Sequence, residues 1–197
     1  MQPRDLHPAV RLAAAGELPA WAVAGRARRA HIGRVTAIMD AWSSDLGLSK
    51  VDRMRWRAAG TLHDALRDAS GKKLRPMVGP RFQALPDRVL HGPAAAQKLK
   101  EDGVADPAIL RAVRYHTLGH RKLDMLGRCL CVADFVEPGR LRQRRWRNDL
   151  AQQMPDDVDE VVREIFRGRI RLLVQRGDPL SKATVGFWNA LNGPSLR

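Results

Sequence analysis

The sequence predicts an all-α, single-domain bundle, and three observations carry the prediction. Hydrophobic residues make up 44% of the 197 positions but aromatics only 5%, leucine, alanine and arginine are plentiful, and β-branched runs are short. Apolar residues recur at helical spacing along most of the chain. A length of 197 residues supports one well-filled core.

After an N-terminal stretch of uncertain role, Ala30 to Leu46 places His31, Val35, Ile38 and Trp42 on one stripe, so His31 faces inward. Ser49 followed by Asp52 predicts an N-cap with an acidic third position. Met54, Ala58, Leu62 and Leu66 then recur every four residues, on a helix expected to carry His63 and Asp64 beside its buried stripe. The basic, Pro- and Gly-containing stretch from Ser70 to Leu90 breaks this periodicity and reads as a loop with one short turn, either a substrate-facing lid or a connection.

His91-Gly92-Pro93 opens an alanine-rich helix that ends near Gly103, with Pro93 in the first turn. Asp106 and Pro107 start the next helix, which brings His116 to its end. Leu123, Leu126, Leu130 and Ala133 trace a further helical face closed by Pro138-Gly139, and Asp134 is an acid embedded in that apolar segment. A long helix from Asp156 to Arg176 offers Val158, Val161, Val162, Ile165 and Leu172 or Leu173 to the core and stops at Gly177. A last helix runs from Ser181 to Leu191.

Thirty-five Lys and Arg against twenty-one Asp and Glu give a formal charge of +14, which suits an anionic partner such as a nucleotide, a nucleic acid or a polyphosphate. Arginine spread over every solvated face is the competing explanation. The densest cluster, Arg140 to Arg147 (RLRQRRWR), is either a solvated face or, with Trp146 interleaved, a surface for nucleic acid or polyphosphate. Cys129 and Cys131 stand two apart in an apolar helix and point to different faces, which argues against a disulfide framework. No apolar run is long enough for a signal segment or a membrane span, so a cytoplasmic protein is expected.

Chemistry concentrates in six residues. His63 and Asp64 are adjacent and can present an imidazole and a carboxylate to one or two ions, the two carboxylate oxygens being free to bridge. Such a pair alone occurs by chance in many proteins, and a buried histidine such as His31 is more often a hydrogen-bonded core residue than a ligand. Taken with His91, His116 and Asp134, the pattern absorbs four of the six histidines, and its donor types suit Fe, Mn, Co or Zn better than Ca or Mg.

With these residues in place the sequence resembles the HD superfamily, and within it the YqeK-type symmetrical diadenosine tetraphosphate hydrolases. The matching phrases are His31 to Val35 (HIGRV), Leu62 to Arg67 (LHDALR), His91 to Ala94 (HGPA), Arg114 to Gly119 (RYHTLG) and Ala133 to Arg140 (ADFVEPGR). They occur in the family's order, and the similarity spans roughly residues 27–190.

The resemblance implies a single-domain HD-type helical bundle: residues 1–26 as an extension, 27–140 as the metal-binding core, and 141–197 as helices packed on the same domain. It implies two divalent transition metals, typically iron, and cleavage of diadenosine tetraphosphate into two ADP by a hydroxide generated at the metals. His31, His63, Asp64 and Asp134 would hold one ion, and Asp64, His91 and His116 the other, with Asp64 as the bridge. Arg67 stands where the family commonly has lysine and is expected at a substrate phosphate. Asp68 is a candidate for proton transfer, or a surface or helix-end residue. Thr117, His120, Arg121 and Arg140 are further phosphate candidates.

Two departures from the family pattern bear on substrate choice: a short, basic connection between Asp64 and His91, and the high net charge. Other HD phosphatases or phosphodiesterases are the nearest alternative. A nucleic-acid-binding protein on the same scaffold, using residues 72–81 and 140–147, is the alternative of a different class. A homodimer is compatible with either.

Overall fold

Side-chain caps mark the starts of several helices. A computed structural model describes residues 2–193, and its described residues form ten α-helices and no strand. In chain order these are α1 (Pro8–Ala14), α2 (Arg26–Asp45), α3 (Lys50–Leu62), α4 (Gly71–Leu74), α5 (His91–Glu101), α6 (Pro107–Tyr115), α7 (Met125–Val136), α8 (Arg144–Gln152), α9 (Val158–Gln175) and α10 (Lys182–Asn192). Ser49 caps α3 by accepting from the Asp52 amide, Asp124 caps α7 through Gly127, and Ser181 caps α10 through Thr184. Gly103 and Gly177 leave α5 and α9 at φ of 93° and 67°, a region costly for a side chain with a Cβ.

The core lies where α2, α3, α5, α6, α7 and α9 meet. Val35, Met39, Leu62, Leu99, Ile109, Leu130, Ile165 and Phe166 are all buried there, each removing apolar area from water at about 25 cal/mol per Å². Three sequence expectations need correction. Ile38 is only half-buried, and Met39, one position on, joins Val35 as a fully buried member of the α2 stripe. Leu172 is 39% exposed and does not belong to the core. The basic cluster, for which a helix face is one of the readings, runs into α8 at Arg144, and its Trp146 lies edge-on against Phe135. The stretch after Ser70 is more ordered than a loop: α4 and three 3-10 turns bury Leu74, Val78 and Phe82.

The first residues are not an appendage to the core. Leu6, Val10, Ala13 and Ala14 are buried, and Val23 then pairs with the turn that follows α3. Its amide donates to Ala65 O at 2.7 Å and its carbonyl accepts from Asp68 N at 3.2 Å. Those bonds stand in for helical ones, and α3 ends at Leu62 instead of running on to Leu66 as the periodicity predicts. No helix among the described residues is long and apolar enough to cross a membrane.

The junction of α3 with α6 gives a stability prediction. Asp106 caps α6 through the Ala108 and Ile109 amides at 3.0 and 3.1 Å and also takes a forked contact from Arg55 at 2.6 and 3.0 Å. Burial alone would raise its pKa, but Arg55 and the two amides outweigh this and hold it below the usual carboxylate range. Asp106→Ala removes a cap and takes from Arg55 its forked partner, leaving it only the Asp52 carboxylate at 2.9 Å, for about 2–3 kcal/mol and about 5–10 °C in Tm. Because the native pKa is depressed, the contribution is complete above the unfolded value of about 3.9 and lost as pH falls through the native one. Melting curves of both proteins at pH 7 and near pH 3 should therefore converge at the acidic end; a gap of constant size would show that ionisation plays no part.

Candidate metal centre

Two close helix contacts, each made at a glycine, assemble the site in pairs. At Gly60 of α3 a Cβ would sit 2.9 Å from Thr36 Cα of α2. The absence of that carbon lets the helices close, with His31 in the second turn of α2 and His63 at the end of α3 brought together. At Gly92 of α5 a Cβ would lie 2.8 Å from Val113 O and 3.2 Å from the His116 ring. This second approach places His91, the first residue of α5, beside His116, which caps the end of α6. Asp134 comes from the last turn of α7, and Asp64 follows His63 in the turn that Val23 shapes.

The six groups form two clusters: His31, His63 and Asp134 in one, and Asp64, His91 and His116 in the other. Asp64 faces both. Its Oδ1 lies 3.1 Å from His91 Nε2 and 3.6 Å from His116 Nε2, and its Oδ2 lies 3.5 Å from His31 Nε2 and 3.6 Å from His63 Nε2. Asp134 Oδ1 is 3.2 Å from His31 Nε2 and 4.0 Å from His63 Nε2. All six residues are buried.

The protonation pattern fits cations. His63 Nδ1 donates to Gly60 O at 2.7 Å and His116 Nδ1 to Val113 O at 2.8 Å, which leaves the lone pair of each ring on Nε2. His31 Nδ1 is fixed in the same way by Glu137 Oε1 at 3.2 Å. The near nitrogens of the rings face one another, His31 Nε2 to His63 Nε2 at 3.3 Å and His91 Nε2 to His116 Nε2 at 3.1 Å. Nitrogens converging with carboxylates in a buried site are a transition-metal donor set, and orienting partners on the far ring nitrogens are its usual accompaniment.

Electrostatics agree. Burial drives the His63 pKa down to about 4 and lowers that of His91, so both are neutral donors at pH 7. Burial would raise Asp64 and Asp134, yet the surrounding imidazoles, with Arg140 at Asp134, hold both carboxyls well below their ordinary value. His31 moves upward: burial opposes this, but Asp134, Glu137 and Asp64 prevail.

The centre forms part of the lining of a cleft of about 460 Å³. Arg28, Arg67 and Arg140 border it near the carboxylates; Arg88, Arg147, Arg169 and Arg176 line it elsewhere. Arg28 Nη1 donates to Asp64 Oδ2 at 2.6 Å, and Arg140 donates to both the carboxylate and the carbonyl of Asp134. The 85–89 stretch supplies Leu85, Pro86, Arg88 and Val89 to the wall, which answers the lid-or-connection question: the segment is packed at one end and lines the cleft at the other.

Among the expected phosphate contacts, Arg67, Thr117 and Arg140 line this cleft, whereas His120 and Arg121 do not. His120 stacks on Tyr115 at 4.4 Å and Arg121 is exposed. Asp68 lies outside it too: its carboxylate accepts from Gly25 N at 2.9 Å and approaches Arg28 Nε at 3.5 Å. Sequence reasoning missed Arg28, Glu137 and Arg169. Glu137 was visible within the ADFVEPGR phrase, but nothing in spacing linked it to His31, while Arg28 and Arg169 look like any other arginine in a basic chain.

Residues 28–139 match the HD domain family, more than half of the chain, and the protein belongs to that family. It is an HD-domain hydrolase. Two relatives share the name symmetrical bis(5'-nucleosyl)-tetraphosphatase. The protein from Staphylococcus aureus is 28% identical over 164 residues, covering 80% of this chain and 81% of its own length. That from Halalkalibacterium halodurans is 23% identical over 146 residues, covering 71% and 77%. The fold also matches a crystal structure from Clostridium acetobutylicum, described as a predicted HD superfamily hydrolase involved in NAD metabolism, with a TM-score of 0.74, 23% identity, and 85% and 89% of the two chains aligned.

Proposed function

We propose that this protein is a two-metal phosphohydrolase that cuts a dinucleoside tetraphosphate, diadenosine tetraphosphate in the first instance, symmetrically into two nucleoside diphosphates. The observation that carries the chemistry is the division of Asp64, one carboxylate oxygen toward each histidine pair. On this reading His31, His63, Asp64 and Asp134 hold one divalent ion, and Asp64, His91 and His116 the other, iron being the first choice and Mn, Co or Zn compatible with the same donors. Such ions supply Lewis-acid charge for phosphoryl oxygens and make a water acidic enough to act near neutral pH.

The chain's own residues do the rest. Gly60 O, Val113 O and Glu137 fix three imidazoles by their far nitrogens, so that the near ones do not turn away. Arg28 and Arg140 bond to the carboxylates and border the cleft, where their remaining N–H groups meet phosphate. Arg67, a further cleft residue, offers a planar fork to the phosphate chain. Asp68 serves on this view to anchor Gly25 and Arg28, and proton transfer is not its role.

The symmetrical mode rests on the two relatives' names together with a cleft sized for a nucleotide. Product analysis with diadenosine tetraphosphate tests it. ADP as the sole nucleotide product is expected; ATP with AMP would refute symmetry. Turnover of nucleoside monophosphates or cyclic dinucleotides in place of any dinucleoside polyphosphate would favour another HD phosphatase or phosphodiesterase.

A further inference from the structure

Positive charge along the cleft is offset unevenly. Arg28, Arg88 and Arg140 each face a carboxylate. Arg67, Arg147, Arg169 and Arg176 line the same cleft, and among the described residues none has a carboxylate within salt-bridge distance.

Two of the four are nevertheless held in place. Arg169 Nη1 donates to Thr117 O at 3.0 Å and His116 O at 3.4 Å, and its guanidinium sits 5.1 Å from the centre of the Phe166 ring. Arg147 Nε donates to Arg142 O at 2.8 Å, and its guanidinium lies 3.9 Å from the Phe135 ring centre, with a further bond to the Phe135 carbonyl. Carbonyls and ring faces orient a guanidinium without cancelling its charge. Burial lowers the pKa of both, yet arginine stays charged at neutral pH. A partly desolvated cation with no carboxylate in contact, only Asp134 acting on both at longer range, leaves donors that an anion in the cleft would complete.

We propose that Arg169 and Arg147 form a phosphate subsite separate from the metal centre, which holds the non-reacting phosphates of a polyphosphate chain while the centre acts on the ones that part. This rests on the hydrolase reading above and adds a basis for chain-length selection. The subsite is coupled to the centre through backbone, because the carbonyls that Arg169 grips belong to His116 and its neighbour Thr117. A substrate with a single phosphate cannot engage both places at once. A longer chain can.

The test pairs binding with kinetics. Inorganic tripolyphosphate is titrated calorimetrically into chelator-treated protein, and steady-state constants are measured for diadenosine tetraphosphate and for bis(p-nitrophenyl) phosphate on the metal-loaded enzyme. Arg169→Met is expected to weaken tripolyphosphate binding about 10- to 100-fold, as for loss of a charge-assisted contact. The dinucleotide should lose a similar factor in kcat/KM, most of it in KM, and the single-phosphate diester about tenfold less. Arg169→Lys should recover part of the affinity by restoring charge without the fork. Arg147→Gln, on a different helix, decides the matter if Arg169→Met does not fold. Unchanged tripolyphosphate affinity in the folded variants, or equal losses on both substrates, would overturn the subsite. Wild-type protein that binds tripolyphosphate through these arginines but cleaves no dinucleotide would instead overturn the proposed function and leave the subsite standing.

Discussion

Asp64→Asn protein is expected to lose both bound ions and to fall at least about 10³-fold in hydrolytic rate, the factor that removing several kcal/mol of charge stabilisation produces. Asparagine keeps the shape of the side chain but offers one neutral oxygen where the wild type offers two charged ones. Since Oδ1 and Oδ2 each face a different histidine pair, one substitution touches both clusters. His91→Ala, by contrast, should reduce mainly the ion beside His116, because His91 contacts only Asp64 Oδ1 and His116 within the set. Elemental analysis of the purified variants separates the two patterns. Retention of one full equivalent by Asp64→Asn would show that the carboxylate does not bridge. Circular dichroism guards against unfolding, which is a real hazard because Asp64 also receives Arg28.

Punctuation in the sequence explains why most of the fold was legible. Asp106-Pro107, Ser49 with Asp52, and Gly177 carry their own instructions, in that each supplies a cap acceptor, a fixed φ or a tolerated positive φ at one position. The end of α3 had no such signal. Met54 to Leu66 keeps a four-residue apolar repeat past the true end, where the amide and carbonyl of Val23, some forty residues earlier, pair with the turn. The same contact gives the N-terminal residues their place, which composition could not have shown.

The candidate site divides along a similar line. His31, His63, Asp64, His91, His116 and Asp134 stand out because imidazoles and carboxylates are scarce on apolar faces, and the structure brings all six together. Arg28, Arg169 and Arg147 are chemically indistinguishable from the other arginines until the backbone shows which ones turn inward. Charge patterning registered the basic cluster at 140–147 as a unit, whereas the fold splits it: Arg140 and Arg147 line the cleft, and Arg142, Arg144 and Arg145 are exposed.

Metal removal should lower stability as well as activity, and the reason lies in what the six groups do without cations. Two rings, His63 and His116, have their lone pairs held on Nε2 by carbonyls at Nδ1, and those nitrogens stand 3.3 and 3.1 Å from the rings of His31 and His91, beside two buried carboxylates. Arg28, Arg140 and an upward-shifted His31 offset part of that charge, so chelated protein is expected to stay folded. They cannot replace ions that bind only the native array. At a thousandfold excess over Kd one ion contributes about 4 kcal/mol, or roughly 8–16 °C in Tm for a chain of this size. Dialysis against a chelator should therefore abolish hydrolysis and lower Tm by at least about 10 °C. Anaerobic Fe(II), Mn(II) or Co(II) should restore both together. Chelation that removed activity while leaving Tm unchanged would place the catalytic ions outside this buried array, because a cation bridging these ligands cannot leave without exposing their mutual repulsion.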